Sequence, residues 1–143
     1  MYFDDFKVGQ TVDLDPVTIE KEEMIDFAHK YDNIPLHTDE EYAKNTPFKG
    51  LIAPGVMSFM KVWSKYLEKD PYGEEFIAGL STKIEWHKPV YAGDVLTGKG
   101  TVTDMIVRNE KNGIIVFKID VYNQNGVLVL SDVTESVVKR RRV

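Results

Sequence analysis

The sequence has no cysteine, which excludes disulfides, thiolate nucleophiles and every cysteine-ligated zinc or iron–sulfur site. Histidine is nearly as scarce, with three in 143 residues. That number supports little metal chemistry. Positive charge is also short, because eighteen Lys and Arg against twenty-three Asp and Glu leave a formal charge of -5. Such a balance disfavours a nucleic-acid partner, while leaving room for a local basic patch. No stretch approaches the roughly eighteen apolar residues of a membrane-spanning helix. The opening Met1-Tyr2-Phe3-Asp4-Asp5 also lacks the basic-then-apolar order of a secretory leader. The expectation is a cytoplasmic protein with no membrane partner, whose chemistry draws on carboxylates, imidazole, hydroxyls and backbone, without metal or cofactor.

What is present is enough for a real core. A chain of 143 residues, 43% hydrophobic and 11% aromatic, fits one domain over residues 1–143 that buries roughly two thirds of its unfolded surface. From Thr18 to about Tyr31 the apolar residues Met24, Ile25, Phe27, Ala28 and Tyr31 recur at spacings of three and four. This predicts an amphipathic helix with Thr18 as N-cap. Asp39 followed by Glu40 and Glu41 predicts a short helix with an acidic first turn. After Pro54-Gly55, the residues Val56, Phe59, Met60, Trp63 and Leu67 form one apolar helical stripe, expected to be buried. Beyond Pro71-Tyr72-Gly73 the period switches to two, beginning with Leu80, Thr82, Ile84 and Trp86. Runs at Val95–Val107, Ile114–Tyr122 and Val127–Val138 follow, with turns placed at Asn112-Gly113 and Asn125-Gly126. The fold class is therefore α+β, with an antiparallel meander curled over a long helix and Val12–Leu14 available as a fifth strand.

Two places could carry chemistry. Asp32 and His37 lie five residues apart, and Pro35 between them fixes its own φ and turns Ile34 away from helix, so both side chains can face one pocket. A carboxylate and an imidazole on one water can take a proton and supply one nearby, as adding water to an activated double bond requires. The spacing also fits a turn-capping Asp32 and a loop His37, and taken by itself favours that plainer reading. The second place is Ala53-Pro54-Gly55, where unpaired N–H groups of a helix start could polarise a carbonyl, or where Pro and Gly could serve only the bend. Ser58, one turn on, is a candidate hydroxyl donor. His29 and His87 read as surface residues and carry no assigned role, and Asp39 reads as a cap.

Asp32-Asn33-Ile34-Pro35-Leu36-His37-Thr38-Asp39 resembles the Asp-x-Asn-Pro-x-His-x-Asp signature of MaoC-like dehydratases and (R)-specific enoyl-CoA hydratases. Phe48 to Met57 resembles that family's lead into its central helix, Lys88-Pro89-Val90-Tyr91-Ala92-Gly93-Asp94 its strand-and-turn motif, and Phe6-Lys7-Val8-Gly9-Gln10 its opening. The resemblance implies a hot-dog fold, an antiparallel sheet wrapped around the Val56–Leu67 helix, with a homodimer or dimer of dimers. It also implies that Asp32 and His37 hold water and move protons while the Gly55 N–H binds the thioester oxygen of an acyl-CoA or acyl-carrier-protein substrate. Coenzyme A would then be part of the substrate. Ile34 stands where the family usually has Asn, Pro54 where it often has His, and Trp63 where some short-chain hydratases carry Ser. Pro54, Ser58 and Trp63 are accordingly expected at the substrate, with the indole of Trp63 reshaping the acyl pocket.

The leading expectation is a hydratase or dehydratase interconverting 2-enoyl and (R)-3-hydroxyacyl thioesters. One alternative is a hot-dog thioesterase, weakened because Val56–Leu67 contains no acid. Another is a noncatalytic acyl-thioester-binding subunit. The basic run Lys139-Arg140-Arg141-Arg142 reads as a mobile solubilising tail in preference to a phosphate clamp.

Overall fold

Five antiparallel strands form one sheet in the order β1-β3-β4-β5-β2, curled around the long helix α4 (Gly55–Leu67). The computed structural model describes residues 1–141. The strands are β1 (Thr11–Thr18), β2 (Phe76–Trp86), β3 (Val95–Val107), β4 (Asn112–Tyr122) and β5 (Leu128–Lys139). Between β1 and α4 run α1 (Lys21–Tyr31), α2 (Pro35–Thr38) and α3 (Glu40–Lys44). This is the hot-dog arrangement, and the α+β expectation holds.

The strands β3, β4 and β5 are a meander, but β2 is not its first member. It pairs with β5, from Phe76↔Val138 to Trp86↔Leu130, and its other edge is unpaired among the described residues. The segment His87–Asp94 therefore crosses from one sheet edge back to β3 rather than making a hairpin. The first strand is longer than Val12–Leu14. It bulges between Leu14 and Val17, where Pro16 offers no N–H to the ladder, a placement that suits an edge strand. Thr18 is the last residue of β1, paired with Val95, so it does not cap α1. Glu20 holds the N-cap position without a side-chain bond. Asp39 does cap its helix, accepting from the Tyr42 N–H at 3.1 Å. Asn112 and Gly113 begin β4, and the turn before them is closed by the Asn109 side chain accepting from the N–H groups of Lys111 and Asn112.

Helix α4 is apolar on more than one side. Its buried face is Met57, Ser58, Phe59, Val62 and Tyr66, whereas Val56, Met60 and Leu67 are exposed. The stripe expected from spacing is thus divided between core and surface. Gly98 on β3 lets the helix approach closely, since a Cβ there would stand 2.8 Å from Val62 Cγ1 and 3.0 Å from Leu14 Cδ1. Tyr66 stacks on Phe117 with ring centroids 4.3 Å apart, closing the far end of the core.

The basic terminus is tied down as far as Arg141. Its guanidinium meets both carboxylate oxygens of Asp5 at 2.9 Å and lies over the Tyr2 ring, while Arg140 reaches Asp4 and the Asn109 carbonyl. The expected mobile tail is replaced by a clasp between the two ends of the chain. Arg142, the last of the expected basic run, lies outside the described residues.

Candidate functional site

Helix α1 ends at Asp32, whose N–H still bonds the Ala28 carbonyl at 2.9 Å but whose φ of -153° leaves the helix. Pro35, at the first position of α2, then starts a single new turn, a position where its missing N–H costs nothing. That turn carries His37 back toward Asp32. His37 Nε2 lies 3.2 Å from Asp32 Oδ2. The imidazole is buried and the carboxylate is about half exposed, with side-chain exposures of 7% and 47%, so solvent reaches the pair from the Asp32 side.

The other ring nitrogen is fixed. His37 Nδ1 stands 2.6 Å from the Ile52 carbonyl oxygen, and a carbonyl only accepts, so Nδ1 carries hydrogen. Ile52 is itself held by a bridge to Tyr91, and Ala53 N–H donates to the Val90 carbonyl at 2.7 Å. The segment Lys88–Asp94 is therefore a brace. Asp94, buried, accepts from the Tyr91 N–H and from Gln124 Nε2, and the Tyr91 hydroxyl donates to the Phe48 carbonyl.

With Nδ1 protonated, a neutral His37 turns a lone pair toward Asp32, and an ionised Asp32 offers lone pairs in return. Contact at 3.2 Å is favourable only with one hydrogen between them, carried by either partner. Such a pair can release one proton and receive one.

Both residues line a cleft of about 490 Å³ together with Gly55, Val56, Ser58 and Trp86. Gly55 is the first residue of α4, so its N–H has no carbonyl a turn earlier to bond and is free for a ligand oxygen. Ser58 is fully buried, and its hydroxyl has no hydrogen-bond partner among the described residues. Pro54 sits behind these groups as the N-cap residue, its carbonyl accepting from the Ser58 N–H at 3.2 Å. It shapes the start of the helix and does not line the cleft.

Trp63 is elsewhere. It packs between Phe59 and Tyr66 and faces a separate groove with Leu67, Pro71, Tyr72 and Phe76, so the expected indole in the acyl pocket is not this one. The indole in the cleft belongs to Trp86. His87 is exposed, as expected, but it also lines the cleft beside Lys88, and its Nε2 is 3.2 Å from Ser131 Oγ, which donates to Asp120. The sequence signal for both was only their position directly before the Lys88-Pro89-Val90 motif. His29 is exposed on α1, as expected.

Comparison with known proteins follows the same lines. Residues 7–132 match the family described as FAS1-like, dehydratase domain region. The chain is 30% identical over 141 residues to the uncharacterized protein YdeM of Bacillus subtilis, covering 98% of this chain and 100% of that one. It is 30% identical over 105 residues to an (R)-specific enoyl-CoA hydratase of Rhodospirillum rubrum, covering 73% and 72%. The crystal structure of a MaoC-like dehydratase from Rhodospirillum rubrum superposes with a TM-score of 0.89 at 28% identity, covering 100% of this chain and 99% of that one.

Proposed function

The chain belongs to the MaoC-like family of hot-dog dehydratases, and on that footing we propose that it hydrates 2-enoyl thioesters to (R)-3-hydroxyacyl thioesters and catalyses the reverse dehydration. The observation that carries the reading is the Asp32–His37 contact of 3.2 Å in one cleft with the free N–H of Gly55. An acyl carbonyl oxygen placed at that N–H is polarised, which makes C3 of the enoyl group electrophilic. Water held by Asp32 and His37 attacks C3. The π electrons move toward C2 and the carbonyl oxygen, giving enolate-like charge opposite the helix start. The pair accepts one proton from the water and delivers one to C2, so its own proton count is restored. No cofactor enters the balance, and coenzyme A or an acyl carrier protein is part of the substrate.

The partner that fits best is a second copy of the chain. Strand β2 has an edge unpaired among the described residues, and Phe76, Ile77 and Leu80 on it are exposed together with Val56, Met60 and Leu67 of α4. An unpaired edge beside an apolar face is covered most simply by its own symmetry mate, edge to edge.

Incubation with crotonyl-CoA tests the reaction. Loss of enoyl absorbance without thiol release supports hydration. Release of free coenzyme A instead makes the protein a thioesterase, and tight binding with neither change makes it a noncatalytic subunit.

A further inference from the structure

We propose that Trp86 is the wall that limits the acyl group, restricting the cleft to 2-enoyl thioesters of about four carbons. This rests on the hydratase reading for the position of the thioester and names the substrate class of that same site. The Nε1–Cε2–Cζ2 edge of the Trp86 indole, a side chain about half exposed, lies against the first turn of α4, so close that a Cβ built on Gly55 would overlap those three atoms. The thioester oxygen is bound at that same turn. Carbons beyond the double bond must pass the indole to go deeper.

Ser58, one turn further along the helix, is fully buried, so no space wide enough for a water opens over it, and an acyl chain that passed the indole would find no room there.

The test is a chain-length series. Wild-type protein is assayed with crotonyl-CoA, 2-hexenoyl-CoA and 2-octenoyl-CoA, and then compared with W86A and the milder W86F. In an open apolar pocket each added methylene would tighten binding about fourfold. The wall reverses that trend. The expected result is a wild-type kcat/KM at least about tenfold lower for the eight-carbon than the four-carbon substrate, with W86A raising that ratio at least about tenfold, mainly through KM, and W86F lying between. Equal or better use of 2-octenoyl-CoA by the wild type overturns the proposal, even if W86A fails to fold. So does a folded W86A whose ratio is unchanged. If the wild type hydrates none of the three, the hydratase reading falls separately, and Kd values for butyryl-CoA and octanoyl-CoA still decide the wall. Butyryl-CoA binding at least about tenfold more tightly supports it; octanoyl-CoA binding as well or better overturns it.

Discussion

The Nδ1–H of His37 donates to the Ile52 carbonyl across 2.6 Å, so one backbone oxygen decides which ring nitrogen faces Asp32. The brace from Tyr91 and Val90 holds that oxygen in place. Removing either member of the pair should abolish the proton exchange. Asp32→Asn and His37→Ala are each expected to lower kcat for crotonyl-CoA hydration by about a hundredfold or more. Asp32 is half exposed, so its variant should keep a melting temperature close to wild type, whereas His37→Ala empties a buried position and unpairs the Ile52 carbonyl, so it is expected to fold but melt lower. Full turnover in either folded variant removes that residue from the mechanism.

Gly55 and Trp86 should behave as a coupled pair. Alanine at position 55 keeps the N–H but places a methyl inside the indole, an overpacking that costs about 1–3 kcal/mol. In a W86A background the same change meets no indole and gains the better helix former. The double-mutant cycle is expected to show G55A destabilising in wild type and near neutral or stabilising in W86A, read from chemical denaturation midpoints. Equal effects in both backgrounds would mean the indole does not occupy this place in solution.

The parts of the site legible in sequence lie on short stretches of chain. Asp32, Pro35 and His37 fall within six consecutive residues; proline turns the chain between them, but it was the resemblance of that stretch to the family signature that gave the pair its role. Gly55 was marked as a helix start, a local event, and took its role from the same resemblance. Trp86 was not legible, because its distance from Gly55 depends on β2 leaving the meander and pairing with β5, a long-range choice that alternation does not encode. Trp63 attracted the acyl-pocket expectation through its spacing from Gly55, yet two turns along α4 the helix has rotated that side chain into the Phe59 and Tyr66 cluster. The face of α4 was ambiguous for a related reason: with Val56, Met60 and Leu67 apolar as well as Phe59 and Val62, periodicity does not choose between the core and a partner.

The clasp between the chain ends should respond to acid. The Arg141 guanidinium, and then the Tyr2 N–H, hold the Asp5 carboxyl below the ordinary carboxylate range. A depressed pKa in the folded state means that this contribution is present above the unfolded value and fades as pH falls through the folded one. Asp5→Asn is therefore expected to lower the melting temperature at neutral pH by a small amount, since both groups are at the surface, and to converge on wild type under acid. A difference between the two proteins that persists or widens at low pH contradicts the assignment.

Asp132 should respond in the opposite sense. It is fully buried on β5, with Oδ1 2.6 Å from Thr82 Oγ1 and Oδ2 2.6 Å from Thr134 Oγ1, while the two hydroxyl oxygens are 2.5 Å apart. Three contacts require three hydrogens and two hydroxyls supply two, so a protonated carboxyl closes the ring with every oxygen both donating and accepting where it can. Burial pushes the Asp132 pKa up, against the opposing pull of the two threonine hydrogen bonds. Because the folded pKa lies above the unfolded one, wild-type stability from this group is complete below about pH 4 and declines as pH rises toward and through the folded pKa, then levels. Asp132→Asn reproduces the neutral ring, with its amide donating to Thr82 and its carbonyl accepting from Thr134, and does not ionise. Denaturation midpoints of wild type and D132N compared from about pH 4 to about pH 9 should show the variant gaining steadily on the wild type as pH rises. A pH-independent gap between them would mean that Asp132 keeps its charge in the fold, and that one of the three short contacts has no hydrogen to hold it.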